Sequence, residues 1–130
     1  MRLVIDTSAI SAFGKGTDKR LNQWFTSQHE LLIPLIVIGE LRAGFAHGGQ
    51  QQHNEQLLQK FLDAPSVSTI TVGDGTTKLY AEIYRRLRQT GRPINTNDMW
   101  IAALALEYDC SLLTLDSDFK RVPDLLVAKI

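Results

Sequence analysis

Residues 95–106 read Asn-Thr-Asn-Asp-Met-Trp-Ile-Ala-Ala-Leu-Ala-Leu, and this segment decides how the chain folds. Met99–Leu106 is an unbroken apolar run rich in Ala and Leu, which favours a helix. A helix that is apolar on every side is normally buried. Any of the polar residues 95–97 can cap its start. Asp98 then falls in the first turn, where it either serves only to begin the helix or contributes to a functional site.

The overall composition indicates a single folded domain without strong bulk charge. The chain has 130 residues, 14 basic and 14 acidic, and 44% of its residues are hydrophobic, which argues against disorder. A net charge of zero means that nucleic-acid binding would need a local basic patch. Cys110 is the only cysteine, so a cysteine metal cluster is excluded. We expect a cytoplasmic protein, because we find neither a signal peptide nor an apolar segment long enough to span a membrane.

Short apolar runs alternate with helical patterns along the whole chain. We predict helices after Asp6, around the segment above, and over residues 18–28, 35–44, 51–63 and 76–89. The predicted strands are residues 2–5, 31–33, 66–72, 111–115 and 125–130. This alternation predicts an α/β fold, a three-layer α/β/α arrangement around a central parallel sheet of about five strands.

Acidic residues stand where such a sheet binds ligands, beyond the carboxyl ends of its strands. Asp6 and Asp116 each follow an apolar strand, and Asp98 begins the helix that leads into the strand before Asp116. Glu40 lies in an apolar helix, where it needs either a salt bridge or a metal ion. Converging carboxylates without His or Cys predict a site for Mg²⁺ or Mn²⁺.

Polar and basic residues nearby admit both structural and functional interpretations. The hydroxyls of Thr7 and Ser8 can bind a phosphate or a water, although capping the following helix is the simpler use. The densest basic cluster is either a solvated helix face or a surface that contacts RNA phosphates. It consists of Arg85, Arg86, Arg88 and Arg92.

Four segments, taken in order, resemble the successive motifs of PIN-domain ribonucleases, and more narrowly of VapC-type toxins. They are residues 3–9 (LVIDTSA), 38–44 (IGELRAG), 97–105 (NDMWIAALA) and 113–119 (LTLDSDF). The resemblance covers residues 1–130 as a single PIN domain. It implies that Asp6, Glu40, Asp98 and Asp116 bind the metal, with Asp118 assisting a second ion. Thr114 matches the family's hydroxyl residue near the site.

The same resemblance implies a Mg²⁺-dependent endoribonuclease that is the toxin of a type II toxin–antitoxin module. We expect metal-activated water to cleave RNA, tRNA being one candidate substrate, and a VapB-like antitoxin to neutralise a homodimeric toxin. One alternative is a catalytically idle PIN fold that only binds. A phosphatase with Asp6 as nucleophile is disfavoured, because the Asp-x-Asp pattern would need an acid at Ser8.

Overall fold

The computed structural model describes residues 1–130 as an α/β fold built on a parallel sheet. Its four strands are β1 (Arg2–Ile5), β2 (Glu30–Pro34), β3 (Val67–Ile70) and β4 (Ser111–Leu113), in the order β3-β2-β1-β4. The helices are α1 (Thr7–Lys15), α2 (Leu35–Ala46), α3 (Gln51–Leu62), α4 (Asp74–Gln89) and α5 (Thr96–Glu107). The predicted architecture is confirmed, and no helix has both the length and the apolar character needed to span a membrane.

The C-terminal segment joins the sheet only by an isolated bridge, so the predicted strand over residues 125–130 is wrong. Leu112 pairs with Val127, and the two backbone hydrogen bonds there join Leu112 to Leu126 and Ala128 at 2.8 Å each. Local apolar content therefore does not carry this segment into a ladder, because strand formation depends on tertiary pairing.

Two short 3₁₀ helices differ from the sequence-based expectation. The helix predicted over residues 18–28 is a 3₁₀ turn, Lys19–Gln23, whose N-cap Asp18 also binds the Arg20 guanidinium. A second 3₁₀ helix, Ser117–Arg121, follows β4 and was not predicted. Asp side chains compete well for backbone N–H groups in such turns, which stops a longer α-helix from forming there.

Helix α5 is the buried centre of the fold, as predicted. Ile101 is 1% exposed, and residues 102–105 are 0% exposed. Asn95 caps the helix by accepting a hydrogen bond from the Asn97 backbone at 2.8 Å. The helix packs against α4, α2, β1 and β4, so its first turn and Asp98 are held in a fixed place by the core.

Candidate active site

Strand pairing places Asp6 and Thr114 side by side. Ile5 and Leu113 are register partners in the parallel pair of β1 and β4, and the next residues leave the sheet together. The Asp6 backbone N–H donates to the Leu113 carbonyl at 3.2 Å. Two residues that are 108 positions apart in the chain therefore meet at the carboxyl edge of the sheet.

The Asp6 carboxylate is buried and accepts three hydrogen bonds. Its Oδ1 accepts from the Ser8 hydroxyl at 2.8 Å and from the Ala9 backbone at 3.0 Å, and its Oδ2 accepts from the Thr114 hydroxyl at 2.6 Å. Burial raises the pKa of Asp6, these hydrogen bonds partly offset the rise, and the Asp116 charge adds to it. Asp6 is itself the N-cap of α1, so the capping role that seemed simplest for Thr7 and Ser8 is wrong.

Glu40 enters the site from the middle of α2 and is held there by α1. The Thr7 hydroxyl donates to Glu40 Oε1 at 2.6 Å. Glu40 forms no salt bridge, although the neighbouring Arg42 pairs with Glu55 at 2.6 Å. The salt-bridge interpretation of Glu40 therefore does not hold, and its charge stays uncompensated.

Asp98 faces the other acids from the first turn of α5. Partial burial raises its pKa to about 6, and repulsion from four other carboxylates adds to the rise. In order of strength these are Asp116, Glu40, Asp6 and Asp118. All five predicted acids thus belong to one electrostatic neighbourhood. A residue that only began a helix would have no such neighbours.

Asp116 precedes the 3₁₀ helix after β4 and Asp118 lies in it, and their surroundings differ. Asp116 caps this helix, because its Oδ1 accepts from the Asp118 backbone at 2.9 Å. Asp118 pairs with Arg121 at 3.2 Å, and Arg121 also donates to the Pro93 carbonyl at 3.3 Å. Asp118 would have to leave this pair before it could serve a second ion.

The donor set fits a hydrated divalent cation better than a tightly caged one. No three Asp, Glu, His or Cys side chains form a ready-made metal cage, so the predicted convergence is looser than direct ligation by every acid. Mg²⁺ usually keeps several waters and binds through one or two carboxylates. The four central acids, Asp6, Glu40, Asp98 and Asp116, have no basic partner. A divalent cation would relieve the repulsion that raises the pKa of Asp98.

The arginines of α4 are mostly engaged with neighbours. Arg85 pairs with Glu82 through its guanidinium, and Arg86 pairs with Asp124 at 3.3 Å. Arg88 lies 5.4 Å from the centre of the Tyr84 ring, and its guanidinium donates to the Tyr84 hydroxyl at 3.0 Å. Arg92, beyond the helix, has no ion pair. RNA binding by this cluster stays a prediction, and Arg88 and Arg92 are its least neutralised members.

Sequence reasoning found the acids but missed the contacts that orient them. Nothing in the sequence links Thr7 to Glu40, or Ser8 to the loop after β4, because both contacts depend on packing between distant segments. The i, i+3 spacing of Asp118 and Arg121 is the one signal that could have been noticed.

Comparison with known proteins agrees with the fold. The PIN domain family model matches residues 3–125, and the chain therefore belongs to the PIN-domain family. Relatives that it matches along its full length include VapC ribonucleases. The chain is 34% identical to ribonuclease VapC1 of Rickettsia felis over 132 residues, which covers 100% of this chain and 97% of the relative.

A second relative and one solved structure place the chain in the same group. Ribonuclease VapC of Rickettsia bellii is 31% identical, with coverage of 100% of this chain and 97% of the relative. The structure of VapBC2 from Rickettsia felis, bound to a DNA fragment from its promoter, superposes with a TM-score of 0.87 at 25% identity. That superposition covers 98% of each chain.

Proposed function

We propose that this chain is a metal-dependent endoribonuclease and the toxin of a VapBC-type toxin–antitoxin pair. The observation that carries the proposal is the group of four acids without basic partners at the carboxyl edge of the sheet. Identity to VapC ribonucleases along the full chain supports it. A PIN fold that only binds would not need four mutually repelling carboxylates in one place.

Asp6, Asp98 and Asp116 would hold the cation, with Glu40 close by. When bound, Mg²⁺ makes a water molecule acidic enough to attack phosphorus and stabilises the charge that develops on the phosphate. Three donors hold the oxygens of the Asp6 carboxylate in place. Glu40 keeps Oε2 free of protein hydrogen bonds while Thr7 holds Oε1, so Oε2 is the oxygen that would be available to take the proton released by an attacking water. We expect 5′-phosphate and 3′-hydroxyl products.

A cleavage assay with and without EDTA tests the activity. Mg²⁺ or Mn²⁺ should support cleavage, and exhaustive chelation should abolish it. Asp116→Asn should lower the rate by at least about a hundredfold, because it removes an anionic metal ligand. Asp74→Asn is the matched control, since Asp74 is 92% exposed and lies on α4. Full activity in EDTA refutes the metal mechanism, and RNA binding without cleavage favours the idle module.

A VapB-like antitoxin is the proposed protein partner. The VapBC2 structure from Rickettsia felis shows such a pair for a protein of this fold. An antitoxin that inserts an Arg or Lys among the acids would satisfy the charges that the metal satisfies. We therefore expect the cognate antitoxin to inhibit cleavage and to weaken Mg²⁺ binding. Inhibition at unchanged Mg²⁺ affinity contradicts this mode of action.

Light scattering of the free toxin tests the expected homodimer.

A further inference from the structure

Ser8 forms hydrogen bonds with two separate parts of the site. Its hydroxyl contacts Asp6 Oδ1 at 2.8 Å, and the same oxygen accepts the Leu115 backbone N–H at 3.0 Å. Asp6 precedes α1, whereas Leu115 lies in the loop that joins β4 to Asp116. Ser8 therefore connects the most buried acid to the segment that carries another.

The number of hydroxyl protons determines which group donates in each hydrogen bond of Ser8 and Thr114. A hydroxyl has one proton to donate, and the Leu115 N–H needs an acceptor, so Ser8 accepts there and donates to Asp6. Thr114 behaves in the same way, since it accepts the Asp116 N–H at 2.9 Å and donates to Asp6 Oδ2 at 2.6 Å. The hydroxyl oxygens of Ser8 and Thr114 lie 3.3 Å apart, and neither has a proton left to donate to the other. Each side-chain oxygen of Asp6 is thus tied to one of two successive loop N–H groups.

The connection continues to the remaining acids of the loop. Asp116, whose backbone is held by Thr114, uses its own Oδ1 to bind the Asp118 backbone at 2.9 Å. Capping of α1 does not explain Ser8, because Asp6 supplies the cap through the Ala9 N–H. The second bond of Ser8, to Leu115, does nothing for α1 and acts only on the loop.

We propose that Ser8 is a positioning residue that sets the Asp6 carboxylate against the Asp116 loop and so fixes the spacing of the metal-binding acids. This inference rests on the proposed function, because it assigns Ser8 a role toward the cation that those acids would hold. Partners that orient metal ligands typically change metal affinity or activity by about 10–100-fold when they are removed. Ser8 does not touch the reacting atoms, so its effect should appear in metal binding and kcat.

Mg²⁺ titration calorimetry of Ser8→Ala, beside RNA cleavage kinetics, tests the proposal. We expect Ser8→Ala to weaken Mg²⁺ binding about tenfold or more and to lower kcat similarly, with KM for RNA unchanged. Ser8→Thr should recover most of both losses, because it restores the hydroxyl. Ser11→Ala is the matched control, since Ser11 lies on the same helix one turn on and makes no side-chain hydrogen bond. If Ser8→Ala fails to fold, Ser8→Cys retains the volume with a poor donor and should show the same losses.

The outcomes separate this proposal from the proposed function. Mg²⁺ affinity and kcat within twofold of the original protein overturn the role of Ser8, as does a change confined to KM. A protein that binds Mg²⁺ in a Ser8-dependent way but cuts no RNA overturns the nuclease and leaves the positioning role intact. A protein that binds no divalent cation overturns both.

Discussion

Asp98→Asn should stabilise the metal-free protein near neutral pH. The substitution removes one negative charge from a site where partial burial, and then repulsion from the other acids, raise the pKa of Asp98 from 3.8 to about 6. A pKa change of that size is equivalent to about 3 kcal/mol. Because the Asp98 side chain is partly exposed, solvent screening reduces the effect, and we expect a gain of about 1 to 2 kcal/mol. For a domain of this size, that raises Tm by about 3–8 °C.

The sign of the pH dependence follows from linkage. The folded protein binds the Asp98 proton more tightly than the unfolded chain does, because its pKa is raised in the folded state. The charged form therefore destabilises the fold fully above about pH 6, and this penalty disappears as the pH falls toward 3.8. The stability difference between Asp98→Asn and the original protein should be largest at pH 7.5 and close to zero at pH 4.

Urea unfolding of both proteins in EDTA, at pH 7.5 and pH 4, measures this difference. A structural Asp98 predicts the opposite sign. A charged Asp in the first turn interacts favourably with the helix dipole, so its loss would destabilise the protein by about 0.3–1 kcal/mol at pH 7.5. The burial of Asp6 raises its pKa in both proteins, so that contribution largely cancels in the comparison. Destabilisation at pH 7.5, or an equal gain at pH 4, refutes the electrostatic argument.

Three further predictions concern the metal, the basic cluster and the junction of α4 with α5. Mg²⁺ should raise Tm in the original protein more than in Asp98→Asn, because a ligand stabilises the state that binds it, and equal shifts would contradict this. Joint replacement of Arg88 and Arg92 by Ala should flatten the slope of log K against log salt in RNA-binding assays by somewhat under one per lost phosphate contact; an unchanged slope would identify a solvated face. A Cβ on Gly75 would lie 2.7 Å from Glu107 Oε2. Gly75→Ala should therefore stabilise α4, by about 0.5–1 kcal/mol, only when Glu107 is also replaced by Ala. A double-mutant cycle measured by denaturation tests this.

The acids could be predicted because each position follows from local sequence. Asp6 and Asp116 follow apolar strands, so parallel pairing brings them to one edge, and Asp98 begins the apolar helix that leads into the second of those strands. The composition of the segment also predicted helix α5. The prediction of a strand over residues 125–130 failed because strand formation depends on tertiary pairing, which the local sequence does not specify.

The hydroxyls could not be assigned from the sequence, because the same residues had several satisfactory local uses. Thr7 and Ser8 stand where helix caps are common, and only the folded chain shows that Asp6 takes that role. The bond from Ser8 to Leu115 spans 107 positions. It exists because β1 and β4 are neighbours in a fixed register. Residue type identifies the groups that can carry charge, and strand register determines what holds them.

The use of hydroxyls to hold the acids also explains how a chain with no net charge can bring mutually repelling carboxylates together. The protein has equal numbers of acidic and basic residues, yet the ion pairs lie outside the central four acids. Thr7, Ser8 and Thr114 stabilise Asp6 and Glu40 with hydrogen bonds that add no positive charge. An Arg in their place would satisfy the acids and compete with the cation. Neutral donors orient the carboxylates without adding a positive charge that would compete with the proposed metal ion.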